Sequence, residues 1–314
     1  LNFPAHRIRL TATSLCPFLV LLLVGSTIAK ASTPTVGVGD NNWPMFNDPN
    51  HRALKTKISR KVISYDFYHH ADQRADLAAW MNAAELAGIR PLVAFNFSER
   101  NPRHLPSVGA FAKSVRYLKS RYPELRDFSP WNEANHRSQP THRNPLRAAQ
   151  YYNVSRRICR GCRIVAADVL DQANMLPWIA AFRRRARRPR LWGIHSYRDV
   201  NRNVPWRRSA LRRLLRVVPG RIWMTEVGGL VAFARTYSYS ERRGVSGLKT
   251  TLRYAQASRR VERVYLYCWY GSPQAHRKPY LWDSGLVAAN SKPRPAYFTL
   301  RRWLRAHRRA LTLR

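Results

Sequence analysis

Eight short apolar, β-rich runs separated by helical stretches organise this chain: TVGVGD (35–40), KVISYDF (61–67), RPLVAFNF (90–97), DFSPWNE (127–133), RIVAADV (163–169), LWGIHSY (191–197), RIWMTEVGG (221–229) and RVYLYCWYG (263–271). Their starts lie 26 to 42 residues apart, the length of a βα unit with its loops. Continuous apolar runs, rather than strict alternation, fit parallel strands covered on both faces. The stretches at 71–87, 107–121, 146–158, 175–187, 209–217, 247–260 and 295–307 have helical texture. In the first, ADQRADLAAWMNAAELA, Ala and Leu recur at three- and four-residue spacing, and Gly88 follows as a stop. Segment 41–56, with Pro44, Asp48, Pro49 and Asn50, reads instead as an irregular loop. Eight alternations predict an α/β fold closed into a (β/α)8 TIM barrel. An open doubly wound sheet is the alternative, but GVGD (37–40) runs into NNWP and opens no helix, so a nucleotide site is disfavoured.

The first 31 residues read as an address rather than as fold. Arg7 and Arg9 make a basic start, FLVLLLV (18–24) is an apolar run, and Ala29-Lys30-Ala31 supplies a small-residue cleavage signal. A membrane anchor needs about 20 apolar residues, so the expectation is a cleaved signal peptide at 1–31, a secreted product, and a single folded domain at 32–314. Cys16 falls in that leader. Cys159 and Cys162, in CRGC, sit between a helical stretch and a strand; in an exported protein a local disulfide is the favoured reading. A redox motif would need a thioredoxin-like context and zinc a second ligand pair. Cys268 reads as a buried free thiol.

The chain carries 56 Lys and Arg against 17 Asp and Glu, a formal net charge of +39. Such a surface attracts polyanions in a salt-dependent way: nucleic acid, anionic lipid, acidic cell-wall polymer or uronic-acid glycan. The basic residues recur along helical stretches, as in FRRRARRPR (182–190) and RRSALRRLLR (207–216), which solvated outer helix faces or a coding bias toward Arg explain. No nucleic-acid recognition motif accompanies them.

In a barrel, functional groups gather where the strands end. Those ends hold Asp40, Asp66, Asn96, Asn132, Glu133, Asp168, His195, Tyr197, Glu226 and Trp269. The chain has seven Glu, and two of them close strands. Breaking a glycosidic bond takes two carboxyl groups of different protonation: one gives a proton to the leaving oxygen, the other attacks the anomeric carbon or activates water. A gap of about 5 Å gives retention through a covalent intermediate; a wider one admits water and gives inversion.

The motifs around these two Glu are specific. PWNEAN (130–135) resembles the strand-4 W-N-E-P-N motif of clan A glycoside hydrolases, WMTEVGG (223–229) their strand-7 T-E-x-G motif, and HSY (195–197) their strand-6 His-x-Tyr element. The segment at 284–301 is similar to their barrel ending. Glu133 and Glu226 are 93 residues apart, the length of three βα units. Ala134 departs from the usual Pro, which touches loop geometry. The resemblance implies a retaining glycosidase with Glu133 as acid/base and Glu226 as nucleophile. It further implies Tyr197 as a hydrogen-bond donor to Glu226, Asn132 on the sugar 2-hydroxyl, His195 assisting or touching substrate, and Trp269 as the floor under the reacting sugar. Trp131 reads as packing. Asp40, Asp66, Asn96 and Asp168 would bond sugar hydroxyls or cap helices and anchor loops. His69-His70 has no third ligand nearby, and the mechanism needs neither metal nor cofactor. The expected partner is a carbohydrate, with an anionic glycan or cell-wall polymer raised by the charge; the expected state is a monomer. The rival is a catalytically silent barrel that binds carbohydrate or cell-wall polyanion, against which the presence of both Glu argues.

Overall fold

Each of the eight apolar runs becomes a barrel strand in the computed structural model, which describes residues 33–273 and 282–312. The segment read as a signal peptide lies outside the described residues. The strands are β1 (Thr35–Gly39), β2 (Ile58–Ser64), β3 (Arg90–Asn96), β4 (Asp127–Ser129), β5 (Arg163–Ile164), β6 (Asp168–Leu170), β7 (Leu191–His195), β8 (Arg221–Val227) and β10 (Val261–Tyr267). Parallel ladders join them in the orders β1-β10-β8-β7-β6 and β2-β3-β4-β5.

β5 and β6 are two halves of one stave. Its first half pairs with β4; then Val165 N–H donates to Phe128 and Ala166 N–H to Leu191, so the second half pairs with β7. β7, β8 and β10 are therefore the sixth, seventh and eighth staves. The ring closes between β1 and β2 without a ladder. There Ser59 Oγ donates to the Val38 carbonyl at 2.6 Å, and Gly37 lies so close that a Cβ would sit 2.0 Å from the Ile58 carbonyl oxygen. The result is the (β/α)8 TIM barrel that the alternation predicts.

The helices that clothe it are α1 (Pro49–Leu54), α2 (Ala71–Leu86), α3 (Val108–Arg121), α4 (Pro145–Ile158), α5 (Met175–Arg183), α6 (Tyr197–Asn201), α7 (Ala210–Val217), α8 (Glu241–Gln256) and α9 (Pro295–Thr312). Ser107, Ser209 and Ser240 cap α3, α7 and α8 with side-chain hydrogen bonds to the first turn. A short antiparallel pair, β9 (Ala232–Phe233) with β11 (Trp282–Asp283), sits outside the barrel.

Three stretches differ from the sequence expectation. Segment 41–56 is ordered as a 3-10 turn plus α1, because Asp48 accepts from the Asn50 N–H and starts a helix in which Pro49 costs nothing. α8 begins at Glu241, not 247: Gly244 and Gly247 let the helix press on the backbone of Gly229. The sixth strand stops at His195, and Tyr197 opens α6.

The barrel interior changes character along its axis. Near the strand starts Ile58, Leu92, Val165, Trp223 and Tyr265 form a separate apolar plug. Side chains alternate with period two, so two residues further along the same strands the inward positions are Arg60, Ala94, Thr225 and Tyr267. The plug fills the base, and the next layer is polar.

Candidate active site

Arg60 is the residue on which the polar layer converges. It lies inward on β2, 3% exposed. Its Nη1 is 2.5 Å from Glu226 Oε2, and its Nη2 is 2.6 Å from Asn132 Oδ1 and 3.2 Å from Asp168 Oδ2. Burial alone would lower its proton affinity; the Glu226 and Asp168 charges outweigh that and raise it.

Asp168, on β6, is fully buried. It accepts from Thr225 Oγ1 and lies 3.2 Å from His195 Nε2. Burial pushes its pKa up, but His195 and Arg60 overcome this and bring it down to about 2. Gly193 makes the contact possible: a Cβ there would lie 2.3 Å from Asp168 Oδ1 and 2.8 Å from Thr225 Oγ1.

His195, on β7, shows no exposed surface. Its Nδ1 is 3.1 Å from Glu133 Oε1 and 4.0 Å from Glu226 Oε2. Burial would lower its pKa, yet Asp168, then Glu226, hold it up to about 10.

Glu133 follows β4 on a turn, and its own φ is 45°. A left-handed non-glycine residue costs on the order of 1–3 kcal/mol and persists only where its surroundings fix it. Here both neighbours are pinned: Asn132 N–H donates to Phe95 O at 2.6 Å and Ala134 N–H to Asp168 O at 2.9 Å. Trp131 turns away, buried against Tyr65 and Tyr151, with its indole N–H on Gln139. Glu226, on β8, receives the Tyr197 hydroxyl on Oε1 at 3.0 Å. Burial, then the Glu226 charge, raises the Tyr197 pKa well above its ordinary value, which keeps the phenol a donor. Carboxylate oxygens of Glu133 and Glu226 and a ring nitrogen of His195 all lie within 4.8 Å of one another.

Both acids face a cleft of about 1260 Å³, whose walls include His136, Asp171, Tyr197, Tyr267 and Trp282. The Trp282 ring meets Tyr197 edge-on at 4.5 Å. The trio Glu133, His195 and Glu226 has the spacing of a cation site, but its donors do not fit one. Glu226 Oε2 already accepts from Arg60, whose buried guanidinium puts a positive charge beside the trio.

Several expected substrate contacts are corrected. Trp269 is fully buried: its Nε1 donates to Asp48 at 3.0 Å, and its ring packs on His51 and Tyr297. β10 ends at Tyr267, and that residue takes the inward place at the mouth. Asp40 borders the cleft, but its carboxylate anchors loops, accepting from the backbone of Asn42, Trp269 and Tyr270. Asp66 lies 3.5 Å from His70 Nε2, and Asn96 receives the Tyr65 N–H on its carbonyl; neither borders the cleft. His195 is fully buried between Glu133 and Asp168 and does not border the cleft. Asn132 gives its amide oxygen to Arg60, and its Nδ2 has no partner among the described residues. Cys159 and Cys162 form a disulfide at the end of α4, and Cys268 is a free buried thiol whose pKa burial raises.

Sequence reasoning missed Arg60, Trp282 and the cleft-facing turn of α6. An arginine inside ISRKVIS, at the inward phase of an otherwise apolar strand, was the available signal for the first. Trp282 belongs to no barrel strand and carried none.

No protein-family model matches the chain, and no curated protein matches it. Among solved structures it is similar to a GH5_18 enzyme from Streptomyces cattleya in complex with GlcNAc, at 16% identity and TM-score 0.63, over 88% of this chain and 81% of that one. It is also similar to the native xylanase 10B from Thermotoga maritima, at 12% identity and TM-score 0.62, over 87% and 95%. A third is the GH39 enzyme from Xanthomonas axonopodis pv. citri, at 15% identity and TM-score 0.62, over 87% and 66%. All three are clan A TIM barrels, and the likeness shows that this chain shares their fold.

Proposed function

We propose that this chain is a retaining glycoside hydrolase with Glu226 as nucleophile and Glu133 as acid/base. The observation that carries the reading is the approach of the two carboxylates to within 4.8 Å across one cleft. Retention needs about 5 Å between them; inversion needs room for a water. Glu226 attacks the anomeric carbon as the glycosidic C–O bond breaks, and Glu133 passes its proton to the leaving oxygen. Water then gives a proton back to Glu133 and attacks the anomeric carbon, which releases Glu226.

Arg60 and Tyr197 each donate to one oxygen of Glu226 and set the direction of its attack. The free Nδ2 of Asn132 is the donor for the sugar 2-hydroxyl, and Tyr267 and Trp282 offer aromatic faces. The solved neighbours support a carbohydrate substrate: one holds GlcNAc and another is named a xylanase. The three-part layout of residues 1–31 supports export of the barrel as a secreted enzyme.

The test is turnover of a panel of activated aryl glycosides, with product configuration read by NMR. Retained configuration, and loss of turnover in Glu226→Gln and Glu133→Gln variants that still fold, support the reading. Turnover unaffected by either variant overturns it.

A further inference from the structure

Two arginines in the cleft wall have no role in the chemistry above. Arg198 and Arg202 lie one turn apart, from the start of α6 to just past its end, and both border the cleft that holds Glu133 and Glu226. Residues four apart on a helix share a face. The acids bordering that cleft are Asp40, Glu133, Asp171 and Glu226, and each is engaged elsewhere. Glu226 receives Arg60 and Tyr197, and Glu133 faces His195. Asp40 anchors the Trp269 and Tyr270 backbone; Asp171 takes the backbone N–H groups of Arg198 and Asp199. Arg198 keeps one loose approach, Nε to Asp199 Oδ1 at 3.5 Å, and Arg202 has no side-chain partner among the described residues.

Stave order places this pair around the mouth. Glu133 and His136 follow the fourth stave, Asp171 the fifth, and Arg198 and Arg202 the sixth. Glu226, Tyr267 and Trp282 belong to the seventh and eighth staves and the strand pair beyond them. Around the ring the sixth stave lies between the fifth and the seventh, so Arg198 and Arg202 stand on the arc of the mouth that runs from Glu133 to Glu226.

We infer that Arg198 and Arg202 form an anion subsite for a carboxylate or sulfate in the wall of the cleft, so that the substrate is an acidic glycan. This rests on the glycosidase reading for the ligand being a glycan, not for the binding of an anion itself. Guanidinium forks pair two N–H groups with two oxygens of a carboxylate or sulfate, and Arg198 is half-buried in the cleft wall while Arg202 is exposed.

The experiment is calorimetric titration of the Glu133→Gln protein, which does not consume its ligand, at about 0.15 M salt where exposed charges are largely screened. The probes are oligogalacturonate and glucurono-xylo-oligosaccharide for carboxylates and a chondroitin sulfate disaccharide for sulfate, each against a neutral counterpart. The expected result is tighter binding of a charged probe. It should weaken about ten-fold or more in Arg198→Ala/Arg202→Ala and return in part in Arg198→Lys/Arg202→Lys. The control, Arg213→Ala/Arg216→Ala on the exposed side of α7, removes the same charge and should change little. Which probe responds separates carboxylate from sulfate. Equal binding of charged and neutral probes, or equal loss in the control, overturns the inference. Failure of the glycosidase reading shows separately, as aryl-glycoside turnover indifferent to Glu226.

Discussion

The barrel buries charge at both ends, in opposite proportions. At the base, one carboxylate meets three guanidiniums. Asp127 is fully buried and receives Arg90, Arg163 and Arg263 at 2.7 to 2.8 Å, and the Arg263 guanidinium also lies 4.2 Å from the centre of the Trp223 ring. At the mouth, three carboxylates, Glu133, Asp168 and Glu226, share Arg60 and His195. An acid surrounded by excess cation has no lone pair left for chemistry; it ties four strands together. Acids in excess, two of them open to a cleft, keep capacity for a proton or a carbon. The same residue types thus make a staple at one end and a reactive centre at the other.

The largest expected effect lies at the mouth. Glu226→Gln should lower turnover of an aryl glycoside about a thousand-fold or more, per folded molecule. A similar loss from Asp127→Asn, per folded molecule, would erase the distinction between the two ends.

Arg60→Met should weaken both function and stability, because it leaves Asp168 buried beside one cation instead of two and frees Glu226. Losing one partner of a buried pair costs about 3–5 kcal/mol, to be measured by denaturant unfolding alongside kcat/KM.

Asp127→Asn should cost less, about 1–3 kcal/mol, because two of the three arginines left behind are more than one-third exposed and rehydrate. Its kcat should hold.

pH separates the ends further. The His195 pKa rises from 6.5 to about 10 on folding, so its stabilisation is complete below pH 6.5 and is lost as pH climbs through 10. The Asp168 pKa falls from 3.8 to about 2, so its stabilisation is present above 3.8 and fades as pH drops through 2. Burial pushes the Asp127 pKa up, but Arg163 and Arg263 hold it below 3.8, so the base has an acid limb; its cations are arginines and burial pushes the Tyr265 phenol up to about 12, so its alkaline limb starts only above pH 10. Thermal midpoints from pH 6.5 to 10 should therefore fall in the wild type and flatten in His195→Gln. An unchanged alkaline slope in that variant would assign it elsewhere.

The smallest effect is expected from Cys159→Ser/Cys162→Ser. The disulfide closes a loop of sequence separation 3, for which chain entropy gives only about 2 kcal/mol. Melting temperature should drop slightly and turnover should not move.

Much of the fold was legible because its signals are local. Eight apolar runs at βα spacing dictate a parallel barrel, and the two Glu stand where such strands end. Where local rules compete, the reading slipped. A cap at Asp48 ordered a segment that looked irregular. At the eighth stave the strand ended two residues before Trp269, so Tyr267 took the mouth and the Trp became core. Asp40 was legible as polar, but only its neighbours in space, the backbone of Trp269 and Tyr270, made it an anchor.

By itself the sequence determined the barrel class and the pair of acids at the ends of its fourth and seventh staves, since period, spacing and strand termini are written in consecutive residues. Tertiary structure decided which charges meet: Arg60 from the second stave, Asp168 from the fifth and His195 from the sixth. Buried charge survives only beside its opposite, and those opposites are brought together by closing the sheet, across separations no local pattern records.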